Sequence, residues 1–134
     1  MSDSDLQHVF PGLRYTDAPA AIEWLGEAFG FEPRQVVDGP DGTIAHAELQ
    51  LGPGMIMLGS DKDDGVDPFG SRAGTGWVYV VIEDPDSHYE RAKAAGAEIL
   101  MELTDTDYGS RDYSARDPEG NVWSFGTYLP GRDG

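Results

Sequence analysis

The sequence predicts an α+β fold made of two copies of one strand–helix–strand–strand–strand module. Three observations carry this reading. A run of two strand-like stretches around a Gly/Pro turn, GTIAHAELQLGPGMIMLGS from Gly42 to Ser60, returns 67 positions later as GSRDYSARDPEGNVWSFGT, Gly109 to Thr127. Gly42 falls on Gly109, Leu58 on Phe125, Gly59 on Gly126 and Ser60 on Thr127. Upstream of each hairpin lies a helix-like segment, TDAPAAIEWLGEAFGFE from Thr16 and EDPDSHYERAKAAGAEI from Glu83. A short strand-like run precedes each helix. Self-similarity at a fixed spacing marks a duplicated unit, and helices and strands in this order belong to the α+β class.

Each element has its own signal. The first strand is expected within HVFPGLRY and its mate within GWVYVVIE. Asp17 and Asp84 are placed to cap helices, because a short carboxylate there accepts from the unpaired N–H groups of the first turn. Ala21, Ile22, Leu25, Ala28 and Phe29 fall on one helical face, and Tyr89, Ala92 and Ala95 do so more weakly in the second copy. Gly30 and Gly96 stand where a helix closes in the left-handed conformation. The residues FE and AE then open the next strand. The expected organisation is a single domain over 1–134, with a first module at 8–60, a linker at 61–74 and a second module at 75–129. The stretch DKDDGVDPFGSRAGTG reads as a mobile loop. It does not fit an EF-hand calcium loop, since Gly65 stands at the third ligand position and no glutamate closes it.

Composition narrows the functional classes. The chain has 134 residues and no cysteine, so disulfides and thiolate metal sites are excluded. No apolar run approaches the roughly 18 residues that span a bilayer, and the polar, acidic start does not read as a secretory signal. A soluble, cytoplasmic protein is expected. Nine Lys and Arg against 25 Asp and Glu leave a net charge of −16. Such a surface repels phosphate backbones, so neither nucleic acid nor membrane is an expected partner. Two readings of the acidity stand side by side: a solubilising surface suited to high salt, and attraction of a cationic ligand.

The paired modules, with DAPAAIEWLGEAFGFEP, HAEL and RDPEGNVWSFGT, resemble the vicinal oxygen chelate superfamily. That superfamily includes glyoxalase I, extradiol dioxygenases, fosfomycin-modifying enzymes and bleomycin-resistance proteins. The resemblance covers nearly the whole chain and is nearest to glyoxalase/bleomycin-resistance-like members. It implies a half-barrel sheet from each module, a cupped cavity and a homodimer. In metal-dependent relatives it further implies a cation held by one side chain from the first and one from the last strand of each module. Carried over one position at a time, those places fall on Phe10, Met57, Trp77 and Ser124. A zinc site needs His, Cys or carboxylate, and magnesium or manganese needs oxygen ligands. The expectation is therefore no metal and no cofactor, which argues against metal-dependent catalysis of the family's usual kind.

Strand alternation assigns the lining of the cup. Phe10, Gly12 and Arg14 are expected on one face of the first strand, and Trp77, Tyr79 and Val81 on that of its mate. Gln50 is expected opposite Met57, with Leu49, Leu51, Ile56 and Leu58 turned to the helices. By the repeat, Arg111, Tyr113 and Ala115 follow His46, Glu48 and Gln50 into the cup. The expected ligand-binding set is thus Phe10, His46, Glu48, Gln50, Met57, Trp77, Tyr79, Arg111, Tyr113 and Ser124. An apolar lining with a few directional polar groups suits a small molecule, although the same aromatics would also fill the cup as core. The function expected is metal-free binding of a small aromatic or cationic molecule, as in bleomycin-type sequestration. The alternative is a lyase or oxidoreductase of glyoxalase or dioxygenase type using a non-standard site at His46 and Glu48. A His beside a carboxylate can serve as a general base.

Overall fold

The structure is a computed structural model that describes residues 7–61 and 73–130. Most of the linker expected at 61–74 lies outside them. In each module the first helical turn is nucleated by an aspartate. Asp17 accepts from the Ala20 N–H at 3.2 Å and starts α1 (Ala18–Phe29). Asp84 accepts from the Ser87 N–H at 3.2 Å and starts α2 (Pro85–Ala94). Gly30, at φ 90°, ends α1 with its N–H on the Gly26 carbonyl, and Gly96, at φ 91°, follows α2. Both lie in the left-handed region that glycine enters without steric cost.

The strands form two four-stranded mixed sheets. The first holds β1 (Gly12–Tyr15), β2 (Glu32–Asp38), β3 (Ile44–Leu51) and β4 (Gly54–Ser60), in the order β1-β4-β3-β2. The second holds β5 (Trp77–Val81), β6 (Glu98–Asp105), β7 (Arg111–Arg116) and β8 (Val122–Gly126), in the order β5-β8-β7-β6. The β1–β4 and β5–β8 pairs are parallel, and the others antiparallel. The sheets stay open, as expected of half-barrel modules.

Alternation sends one face of each sheet into a common core. Leu13, Tyr15, Leu49, Ile56 and Leu58 from the first sheet join Tyr113, Ala115, Trp123 and Phe125 from the second in one cluster. Phe29, at the end of α1, sits among Trp24, His88, Trp123 and Phe125, with ring centroids 4.7–5.9 Å away. The modules are also joined by polar contacts. Arg91 on α2 donates to the Glu27 and Gly26 carbonyls at 2.8 and 2.9 Å, which adds a charged donor at the carbonyl-rich end of α1.

The DPEGN turn between β7 and β8 is a second clasp. The buried Asp117 carboxylate accepts from the Tyr15 hydroxyl at 2.6 Å and Trp123 Nε1 at 3.1 Å. It also accepts from the backbone N–H groups of Glu119 and Asn121, at 3.0 and 3.1 Å. Glu119 in turn accepts from the N–H groups of Thr16 and Asp17, at 2.6 and 2.7 Å. The motif therefore ties the second module to the start of α1 in the first.

Three expectations about register are corrected. The first strand, expected to include Phe10, begins at Gly12, because Pro11 has no N–H to give to a ladder. Gln50 pairs with Met55, and Glu48 with Met57, through a tighter turn than expected. That shift of two keeps His46, Glu48 and Gln50 on the same face as Met55 and Met57. The third correction matters most. Ala47 pairs with Leu58, but Tyr113, not Ser114, pairs with Phe125. The repeat spacing is 67 at the caps and through β8, and 66 from Gly30/Gly96 through β7. The DPEGN hairpin carries one residue more than its counterpart, and a one-residue slip turns every side chain of a strand over.

His88, half-buried on α2, makes a pH test of this core. Its Nε2 lies 2.8 Å from the Phe29 carbonyl and its Nδ1 2.6 Å from the Tyr113 hydroxyl. A carbonyl only accepts, so Nε2 carries the proton and the Tyr113 hydroxyl donates to Nδ1. Burial pushes the His88 pKa below its ordinary 6.5, against the pull of the Phe29 carbonyl and with help from Arg91. The unfolded chain therefore takes up this proton first as pH falls. The His88 contribution is fully present above about pH 6.5 and is lost progressively below it. Thermal melts from about pH 7.5 to about pH 5.5 should show a steeper decline in the native protein than in His88→Gln. Parallel curves would contradict this assignment.

Candidate functional site

The faces turned away from the core are open. On the first sheet, Gly12 and Arg14 of β1, His46, Glu48 and Gln50 of β3, and Met55 and Met57 of β4 share this side. A shallow hollow of about 420 Å³ lies over Gly12, Arg14, His46, Met57 and Gly59. His46 Nε2 lies 2.9 Å from Glu48 Oε2, with both side chains partly exposed. Gln50 is held by its own sheet, accepting from Arg34 Nε and donating to the Gly52 carbonyl at 2.9 Å.

On the second sheet, Trp77, Tyr79 and Val81 of β5 share the open side with Val122 and Ser124 of β8. Trp77 is 69% exposed and its Nε1 donates to Ser124 Oγ at 3.1 Å. Ser124 Oγ also lies 2.9 Å from Ser114 Oγ. The Tyr79 hydroxyl donates to the Tyr128 carbonyl at 2.6 Å. A hollow of about 450 Å³ joins the two sheets here, lined by Gln7, Pro11, Met55, Tyr79, Val81 and Leu129, with Phe31 and Ile56 among its other walls. These aromatics do not fill the space as core. The exposure of Trp77 leaves an indole face available to a planar ligand.

Three residues expected in the cup, Arg111, Tyr113 and Ala115, lie on the opposite side of β7. Tyr113 is fully buried, 5.2 Å from Phe125 and bonded to His88. Arg111 turns toward α2, where Nε meets Asp86 at 2.7 Å and Nη1 meets Asp105 at 3.1 Å. That guanidinium holds the Asp86 carboxyl below the usual carboxylate range. Ala115, expected in the cup as well, is buried in the core with Tyr113. The slip instead brings Asp112, Ser114 and Arg116 to the open side. Phe10 stands just ahead of β1, partly exposed, rather than on the strand.

The four positions that resemblance gives to a metal do not make a donor set. Trp77 offers an indole N–H, already donated to Ser124, and an N–H cannot ligate a cation. Met57 supplies a soft thioether, Phe10 supplies nothing, and the Ser124 hydroxyl is engaged on both sides. Among the described residues, no group of three or more His, Asp or Glu side chains is placed to hold a metal ion.

The sequence profile of the Glyoxalase/Bleomycin resistance protein/Dioxygenase superfamily matches residues 5–125, and the chain belongs to that family. TioX from Micromonospora sp. ML1 shares 37% identity and superposes with a TM-score of 0.75, over 92% of this chain and 99% of that one. An uncharacterized protein of Mycobacterium bovis is 31% identical over 121 residues, 87% of this chain and 80% of its own length. A glyoxalase/bleomycin resistance protein/dioxygenase family enzyme from Burkholderia phytofirmans PsJN shares the fold at 20% identity, with a TM-score of 0.69 over 90% of this chain and 97% of that one. No helix among the described residues is long and apolar enough to cross a membrane.

Proposed function

We propose that the protein binds a small aromatic or cationic molecule on the open faces of its sheets, without a metal, and holds it rather than transforms it. The observation that carries this reading is Trp77. It stands at a position that the resemblance gives to a metal ligand, largely exposed, two residues along β5 from Tyr79, which lines a hollow with Met55 and Leu129. Apolar walls with sparse polar groups are the chemistry of a small-molecule pocket, and thioethers adapt to irregular shapes. Sequestration of the kind attributed to bleomycin-resistance relatives fits such a site. The working form is a cytoplasmic homodimer, in which a twofold partner covers part of the apolar open surface. Elemental analysis of untagged protein should find well under one Zn, Mn, Fe or Ni per chain, and light scattering should give twice the chain mass. About one metal per chain, lost on His46→Gln or Glu48→Gln, would overturn the metal-free reading.

The second reading, turnover at His46 and Glu48, is favoured by their 2.9 Å contact. Glu48 holds one ring nitrogen and leaves the other to take a proton. Equilibrium dialysis separates the two: sequestration returns the ligand unchanged, and turnover does not.

A further inference from the structure

We propose that Asp112 is the carboxylate by which the site recognises a primary ammonium group on an aromatic ligand, an assignment that rests on the binding function proposed above. Asp112 is only 8% exposed, yet no Lys, Arg or His of the described residues pairs with it. Its neighbour Arg111 is committed to Asp86 and Asp105 on the other side of the strand. A buried carboxylate without a cation is costly unless hydrogen bonds or a ligand compensate it.

The surroundings are built for such a partner. Ser110 Oγ donates to Oδ1 and the Tyr108 hydroxyl donates to Oδ2 at 3.2 Å. A carboxylate has about four acceptor sites, so two hydroxyls leave capacity for a charged donor. Gly126 on β8 is the cradle. A Cβ there would overlap Asp112 Oδ1 and come within 2.9 Å of the Tyr79 hydroxyl, so only glycine lets these groups meet. Burial and the Asp112 charge push the Tyr79 phenol up, which keeps it a neutral donor. Tyr108 and Tyr128, both exposed, stand edge to face at 5.7 Å. Aromatic faces beside a carboxylate favour a cation. Tyr79 is the link to the hollow between the sheets: it lines that hollow, and its hydroxyl lies with Asp112 over Gly126.

Benzylamine, charged at neutral pH, and the neutral benzyl alcohol are the probe pair, titrated by calorimetry into the full-length protein. The native protein should bind benzylamine about tenfold more tightly than benzyl alcohol or better, since a charge-assisted bond replaces a neutral one. Asp112→Asn should bring the two affinities within about twofold of each other, chiefly by weakening benzylamine. Tyr108→Phe keeps the ring but loses the hydroxyl, and should retain the preference; Gly126→Ala should lose it. Circular dichroism and melting curves show which variants fold, and Tyr108→Ala, expected to weaken benzylamine more than benzyl alcohol, tests the site if Asp112→Asn does not. Equal affinities in the native protein, or a preference that survives Asp112→Asn, would overturn the assignment. The second outcome would trace the preference to the general charge of −16. Binding of both probes without preference sinks Asp112 but not the pocket; binding of neither sinks both.

Discussion

Asp117→Ala is expected to lower the free energy of unfolding by about 3–5 kcal/mol, because it strands several buried donors at once. Tyr15 and Trp123 lose their acceptor, and so do two backbone N–H groups of the turn. Burial and the Asp117 charge push the Tyr15 phenol far up, so it stays a neutral donor at any pH the fold survives. For a domain of this size the loss corresponds to a melting temperature lower by roughly 10–20 °C. Asp117→Asn keeps one acceptor oxygen and should cost clearly less. Urea unfolding of the two variants measures this. A loss under about 1 kcal/mol for the alanine variant would show that the turn is no clasp between modules.

Phe29→Ala should be comparably severe, at about 3–5 kcal/mol. Its ring is fully buried and touches both modules at once, with Trp24 on one side and His88, Trp123 and Phe125 on the other. Since both sheets share one core, the native protein and the variant should each unfold in a single transition. Separate transitions in the variant would mean that the modules hold together without this ring. Phe29→Leu keeps most of the volume and should lose about half as much or less.

The duplicated architecture was legible because it rests on local signals that repeat. Asp17 and Asp84 cap, Gly30 and Gly96 close, and Leu49, Ile56 and Leu58 alternate into the core as their spacing demands. The face of β7 was misread for an equally local reason. A constant spacing of 67 was carried through a turn that had gained one residue. Gly30 and Gly96, only 66 apart, already held the sign that α2 had lost one. Since faces alternate, that slip exchanged Arg111, Tyr113 and Ala115 for Asp112, Ser114 and Arg116, which puts a carboxylate on the open side. The pairing of His88 with Tyr113 lay beyond the sequence, because it joins a helix to a strand 25 residues away. The clasp by Asp117 was visible only as a turn motif. Its partner Tyr15 is 102 residues distant, and nothing in DPEGN alone points there.

The most direct test of ligand binding on the open faces is the fluorescence of Trp77. Its indole is largely exposed at the site, whereas Trp123 is buried against Asp117 and Trp24 donates from α1 to the Ala95 carbonyl. Titration with benzylamine, with emission excited selectively in tryptophan, should give a saturable quench or shift in the native protein. Trp77→Phe should remove most of that signal and leave the other two indoles unmoved. No saturable change, or a change that persists undiminished in Trp77→Phe, would contradict a binding site on these faces.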